Sequence, residues 1–243
     1  MRRTSPFDLL LLDLNGTFMF GQDRFGGGED YARTYREAGG TTLADGDVTA
    51  AVSAVVERLT VIGRREDRLD SFPAVLECLR ALPLTRSWPD SELRRIEQVV
   101  ASHELGRIPA EYASFVSSLA ETYRLGLVSN LWSRKDPWLA ELDRAGVTEA
   151  FDWLIFSSDG ASVKPSPRIF QPIFDDWDGP RDRILMIGDS LRRDVAGARN
   201  VGIRSLWIGG RDAEDSSASP VPDYRVADLL DARWLQPAPA PEP

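Results

Sequence analysis

Apolar residues fall into two patterns along this chain. The first is the short, unbroken run. Phe7 to Leu14 reads FDLLLLDL, and four later runs resemble it: Tyr123 to Ser129 (YRLGLVS), Trp153 to Ser157 (WLIFS), Ile184 to Gly188 (ILMIG) and Ile203 to Ile208 (IRSLWI). Runs of this length without polar alternation suit strands buried on both faces, the condition of a parallel sheet. The second pattern is helical spacing. It covers Ala110 to Glu121, Ser133 to Ala145, Pro167 to Asp176 and Leu191 to Val201. Strand and helix therefore alternate, which predicts an α/β fold with a doubly wound parallel sheet.

Residues 18–106 break the alternation. A Gly-rich turn region, Gly21 to Gly28, is followed only by helical patterns. Val48, Ala51, Val52, Val55, Val56 and Leu59 make one apolar face. Leu76, Leu79 and Leu82 mark a second helix, and Leu93, Ile96 and Val100 a third, with Ser87 and Asp90 placed as a capping box before it. This block reads as an inserted all-helical cap domain. It divides a core domain of residues 1–17 and 107–235. Residues 209–222 read as a loop, and residues 236–243 (QPAPAPEP) as a flexible, Pro-rich tail.

Composition narrows the function. The 243 residues carry 29 Lys plus Arg against 38 Asp plus Glu, a net charge of -9. Such a chain repels phosphate backbones, and no local basic patch suggests a nucleic-acid partner. A single cysteine, Cys78, excludes an internal disulfide, and a single histidine, His103, excludes a multi-histidine metal site. Leu9 to Leu12 is too short to span a membrane, and Met1 to Pro6 leads into no long apolar leader. The expectation is a soluble, cytoplasmic protein with neither nucleic acid nor membrane as partner.

In open α/β sheets, ligands sit at the carboxyl ends of the strands. Asp13, Asn15, Gly16 and Thr17 follow the first run, Ser129 and Asn130 end the second, Lys164 follows the third, and Asp189, Ser190 and Asp194 follow the fourth. Carboxylates, a hydroxyl and an ammonium thus converge on one edge. No GxxxxGK or GxGxxG motif competes. The set suits phosphoryl transfer: a carboxylate nucleophile in Asp13, oxygens for a hard cation such as Mg2+, and Lys164 to spread the transferred charge. Ser166 and Ser190 are placed to cap the helices that follow them.

The segments DLNGT, VSN, VKPSPRIF and GDSLRRDVAGARNVGI resemble, in order, the four motifs of the haloacid dehalogenase superfamily, across nearly the whole chain. The resemblance implies a Rossmann-like core with a helical cap, and a Mg2+-dependent phosphatase of a small phosphorylated metabolite. On it, Asp13 matches the nucleophile and Asp189 a direct Mg2+ ligand. The main-chain carbonyl of Asn15 matches a further ligand, and Asp194 the acid that supports metal and lysine. Lys164 matches the charge-neutralising lysine and Ser129, beside Asn130, the phosphate-binding hydroxyl.

Asn15 departs from the pattern, because family phosphatases usually carry Asp there as general acid and base. Such help is worth about 10²- to 10⁴-fold in rate. Three consequences stay open. The enzyme is slow or restricted to good leaving groups; another carboxylate, Asp23 or Glu29, stands in; or the chain is a phosphate-binding, regulatory protein without catalysis. A 2-haloacid dehalogenase also tolerates Asn15, since halide leaves without an acid, but it has little use for the Asp189 and Asp194 pair. Outside the motifs, His103, Cys78 and Trp138 read as packing residues, Trp132 as packing or pocket wall, and Arg192 and Arg193 as a solvated helix face. Phe18, Met19 and Phe20 either wall the site or seal the domain interface.

Overall fold

The computed structural model describes residues 5–209 and 220–236. The expected tail beyond Gln236 and most of the expected 209–222 loop lie outside those residues. In chain order the elements are β1 (Leu9–Leu12), α1 (Tyr31–Glu37), α2 (Asp45–Ile62), α3 (Val75–Ala81), α4 (Asp90–Glu104), α5 (Ala110–Ala120), β2 (Arg124–Ser129), α6 (Asp136–Ala145), β3 (Trp153–Phe156), α7 (Ser157–Gly160), α8 (Gln171–Asp176), β4 (Ile184–Gly188), α9 (Ala196–Val201), β5 (Arg204–Ile208) and β6 (Tyr224–Val226). Among the described residues no helix is long and apolar enough to cross a membrane.

The six strands form one parallel sheet in the order β3-β2-β1-β4-β5-β6. The chain builds outward from β1 to β3, then returns to the other side of β1 to add β4. The crevice between the carboxyl ends of β1 and β4 is therefore the topological switch point, where ligands bind in such sheets. Side chains alternate across β1. Leu10 and Leu12 enter a core shared with Val116 of α5 and Trp138 and Leu142 of α6. Leu9 and Leu11 enter the opposite core with Phe170, Ile173 of α8 and Ala198 of α9. Both faces of β1 are dry, which is why its sequence is leucine throughout.

Helices α1 to α4 share a separate core. Tyr35, Val52, Val55, Leu79 and Ile96 are all fully buried in it, and Cys78 packs there too. The chain leaves and re-enters the sheet unit side by side. Phe20 and Arg107 exchange backbone hydrogen bonds of 2.9 and 2.8 Å, and Gly106 is held so close to Phe20 that a Cβ there would meet its carbonyl group. Phe18 and Met19 are buried in the sheet-side core and, with Phe20, line none of the described cavities, so they seal packing rather than wall a site.

Three local readings change. The expected capping box before α4 does not form: Pro89 occupies the N-cap, no side chain caps the helix, and Asp90 sits inside the first turn and pairs with Arg80 at 2.9 Å. The rigid Pro89 lead-in replaces the hydroxyl cap, and Asp90 still faces the positive end of the helix dipole. Helix α1, with Asp30 capping Arg33 N, and the edge strand β6 were not foreseen. Both are short, and β6 exposes two of its three residues, so neither writes a strong periodicity.

Ile96 lies at the centre of the α1–α4 core. Ile96→Ala is expected to lower the unfolding free energy by about 2–5 kcal/mol, measured by urea denaturation. A loss below about 1 kcal/mol would mean that this core is not close-packed.

Candidate active site

Strand β1 delivers Asp13. Its N–H donates to the Ile187 carbonyl at 2.8 Å, continuing the ladder beyond the strand. The chain then turns tightly, and the Leu14 carbonyl accepts the N–H groups of Thr17, Phe18 and Met19. Gly16 is fixed there twice: its φ is +77°, and a Cβ would run into the Asp189 carboxylate. Strand β4 delivers Asp189 and Ser190. The Ser190 hydroxyl accepts from Arg193 N at 3.3 Å, while Ser190 N donates to Asp194 Oδ2 at 2.9 Å. Residues Leu191–Val195 form a π turn before α9, a widening that recurs at functional sites. It brings the Asp194 carboxylate back over Gly188, where any Cβ would collide with it.

Lys164 arrives on the loop after α7. Asn130 holds it by the backbone: Lys164 N donates to Asn130 Oδ1 at 2.8 Å, and Asn130 Nδ2 donates to the Lys164 carbonyl at 3.2 Å. The Ser166 hydroxyl then caps the following turn by accepting from Arg168 N. So placed, Lys164 Nζ lies 2.6 Å from Asp13 Oδ1 and 2.7 Å from Asp194 Oδ1. Lys164 is 2% exposed and Asp194 1%. Burial works against the ammonium, but the two carboxylates outweigh it and hold the Lys164 pKa above the ordinary value.

Three acids share this one amine. Ligand oxygens of Asp13, Asp189 and Asp194 lie within 4.8 Å of one another. Burial raises Asp13 to a pKa of about 6; the nearby Lys164 charge lowers it, and Asp194 raises it again. Asp189, on the open rim but crowded by protein, is raised to about 7 by desolvation and then by the charges of Asp13 and Asp194. The cluster thus carries more negative charge than Lys164 can balance. A divalent cation that prefers oxygen ligands fits both the donor set and the charge deficit. Asp13, Asp189 and Asp194 are the carboxylates that could hold it.

These residues line a cavity of about 220 Å³. Its walls include Asp13, Asn15, Asn130, Lys164, Asp189 and Ser190. Ser129 is not among them. Its hydroxyl is fully buried one residue from Asn130 and has no hydrogen-bond partner, and neither has the Asn15 side-chain oxygen. Trp132 is a wall of the cavity, and so is Arg193, although its helix face is solvent-exposed. The two stand-in carboxylates separate. Asp23 lines the cavity, in the left-handed region at φ +56°, where desolvation raises its pKa against the opposing charge of Arg193. Glu29 instead lies at a different pocket and pairs with His103 at 3.2 Å.

Sequence reading missed two wall residues, Gln22 and Glu104. Glu104, the last residue of α4, is 3% exposed and accepts the N–H groups of Trp132 at 2.6 Å and Ser133 at 3.0 Å. A signal existed: Glu104 continues the buried stripe of Leu93, Ile96 and Val100 at helical spacing, an acid on an apolar face.

The comparisons with known proteins agree with this geometry. A family model described as "HAD-hyrolase-like" matches residues 162–232. Phosphoserine phosphatase of Thermus thermophilus is 35% identical over 121 residues, 49% of this chain and 48% of that protein. The pyrophosphatase PpaX of Halalkalibacterium halodurans is 25% identical over 170 residues, 64% of this chain and 77% of its own. Among solved structures, the HAD-hydrolase YfnB of Bacillus subtilis superposes with a TM-score of 0.62 at 16% identity, covering 94% of this chain and 98% of that one. The chain is similar to members of the haloacid dehalogenase superfamily in sequence and in fold. It spans about half the length of the first curated relatives it matches. A 2-haloacid dehalogenase of Pseudomonas syringae shares the haloacid dehalogenase fold equally well, at TM-score 0.62 and 18% identity over 94% of this chain and 97% of its own, so fold likeness does not select the chemistry.

Glu104 ties the helical segment to the loop after β2, and its ionisation is linked to stability. Burial raises its pKa from 4.5 to about 7 despite the N–H groups that favour the carboxylate. The folded state therefore holds a proton that the unfolded state has released between about pH 4.5 and 7. Stability falls as pH rises through that window, by about 3 kcal/mol for this group. Urea unfolding at pH 5 and pH 8 is expected to show a smaller drop for Glu104→Gln than for the parent. Equal drops would remove Glu104 from the linkage.

Proposed function

We propose that this chain is a Mg2+-dependent phosphohydrolase of a small phosphorylated compound, working through an aspartyl phosphate on Asp13 beneath a cap formed by residues 18–106. The observation that carries the reading is the buried Lys164 ammonium, 2.6 Å from Asp13 and 2.7 Å from Asp194, in a cavity shared with Asp189. The relatives named above as phosphatases support the same chemistry.

In this reading an Asp13 oxygen bonds to phosphorus as the bond to the leaving oxygen breaks. Lys164 stays protonated throughout and offsets charge on Asp13 and on the phosphoryl oxygens. Mg2+, held by Asp13, Asp189 and the main-chain carbonyl of Asn15, would supply further neutralisation of the transferred group. The unpaired Ser129 hydroxyl and the Asn130 region hold phosphate oxygens. Asp194 fixes the Lys164 ammonium from behind.

The proton is the difficulty, because the Asn15 amide cannot donate one to a departing alkoxide or accept one from water. We assign that role to Asp23, the stand-in carboxylate that lines the cavity, with a pKa already raised by desolvation. Asp23 gives its proton to the leaving oxygen, then takes one from the water that attacks the phosphoryl group and frees phosphate. Reading the chain as a non-catalytic phosphate binder rests on Asn15 alone.

Asp13→Asn is expected to abolish hydrolysis of p-nitrophenyl phosphate, and chelation of divalent metal to suppress it in the parent. Turnover unchanged in chelator would overturn the metal role. No turnover, with a stable phosphoryl adduct by intact mass after acetyl phosphate, would indicate a first step without a second.

Asp23→Asn is expected to lower kcat on an alkyl phosphate by about 10²- to 10⁴-fold, with a much smaller loss on p-nitrophenyl phosphate, whose leaving group needs no acid. Equal losses on both substrates would refute Asp23 as the acid. Asn15→Asp should then change little in the parent and rescue Asp23→Asn.

A further inference from the structure

The small cavity shares walls with a larger one. Asn130, Trp132, Lys164, Ser190 and Arg193 also wall a cleft of about 780 Å³. The cleft runs between the end of α2 with the turn beyond it, through Phe72, and the core segments around Pro165 and Asn200. A phosphoryl group seated against Asp13 and Lys164 would leave the remainder of its molecule in this cleft.

The charge of the cleft is opposite to that of the chain. Two arginine pairs face into it. Arg64 and Arg65 follow α2, and Arg192 and Arg193 lie in the π turn; Glu66 is the sole carboxylate among the described lining residues. Arg65 is engaged by Asp67, at 3.0 and 2.7 Å, and Arg193 faces Asp23. Arg64 and Arg192 have no acidic partner among the described residues. In a chain of net charge -9, such a concentration is a local departure from the overall charge. The larger cavity beside His103 offers the contrast. Its four arginines are matched by Glu29, Asp30, Glu37, Glu97 and Asp136, so it holds no net positive charge. The cleft lining also includes the apolar residues Leu59, Leu69, Phe72 and Val163.

We propose that the cleft selects substrates whose leaving group carries a second anion, a carboxylate or another phosphate, at the far end of a short carbon skeleton, with Arg64 and Arg192 as the groups that meet it. This rests on the phosphohydrolase reading for the seat of the first phosphoryl group. Arginine suits the task because its planar, always charged guanidinium binds carboxylate and phosphate alike in bidentate fashion. One pair comes from the helical segment and the other from the core. An anion between them would also draw the two units together over the reacting group.

The test uses phosphonates, which bind without being hydrolysed, so it does not depend on turnover. Propylphosphonate has one anionic end, 3-phosphonopropionate adds a carboxylate, and propane-1,3-bisphosphonate adds a second phosphonate. Titration calorimetry at low salt with Mg2+ is expected to show at least one doubly anionic ligand binding about tenfold or more tightly than propylphosphonate, with the gap narrowing at high salt. Which of the two gains more identifies carboxylate or phosphate as the natural terminus. In Arg64→Ala/Arg192→Ala, checked for fold by circular dichroism, the preference is expected to collapse toward one. Equal affinity for all three ligands, no binding of any, or a preference that survives the double substitution would overturn the proposal. Turnover of p-nitrophenyl phosphate, measured in parallel, keeps the two readings apart. A charge preference without turnover fails the phosphohydrolase, and turnover without preference fails the cleft.

Discussion

A single buried ammonium organises this site. Lys164 sits almost without solvent between Asp13 and Asp194, and each of the three would be costly to bury without the others. The arrangement dictates much of the surrounding structure. Strands β1 and β4 must be neighbours so that Asp13 and Asp194 reach one amine from two sides. Gly188 must lack a side chain so that Asp194 can fold back over the strand, and Gly16 must lack one so that Asp189 can approach. Asn130 must hold the Lys164 backbone by both its N–H and its carbonyl. The glycines and amides of the motifs are thus consequences of placing one cation among three acids.

The same electrostatics divide the labour between the two halves of the molecule. The sheet unit concentrates carboxylates at its switch point, a donor set that favours a cation. The helical segment adds no further amine to the small cavity. It adds instead two carboxylates to that cavity, Asp23 and Glu104, and arginines farther out. Asp23 is held by the backbone around it: Arg24 N donates to the His103 carbonyl, and the Arg24 guanidinium binds the carbonyls of Gly21, Ser102 and Leu105. A non-glycine residue at positive φ, braced in this way beside the cavity, is the kind of strain that persists when the surroundings over-determine it.

Sequence made the sheet legible because each buried strand is a run of apolar residues with no alternation, and β4 begins and ends where the run does. Site residues at strand ends were legible for the same reason, since topology sends every strand end to one edge. What escaped was set by tertiary contact rather than local pattern. Nothing within residues 87–90 tells that Pro89, rather than Ser87, leads α4. Asp23 and Glu29 are indistinguishable as acids in a Gly-rich stretch. Only the path of the chain sends one into the cavity and the other to His103. Arg192 and Arg193 read as a solvated face because the surface opposite them belongs to a segment more than a hundred residues earlier.

Glu104 shows how tightly the halves are joined. It ends α4, the last helix of the inserted segment, and its two oxygens bind consecutive N–H groups of the loop that leaves β2. Those N–H groups lie just past Ser129 and Asn130, where phosphate contacts are expected. Two residues beyond Glu104, Gly106 lets the chain pass close against Phe20, and Arg107 pairs with it. Any rotation of the helical segment about this paired crossing must therefore move Glu104 relative to the loop or carry the loop with it. Breaking its hydrogen bonds would leave a buried carboxylate unpaired, which is costly in a dry environment. The lower-cost motion keeps Glu104 and residues 131–133 together, and so links the position of the helical segment to the shape of the cavity wall formed by Asn130 and Trp132.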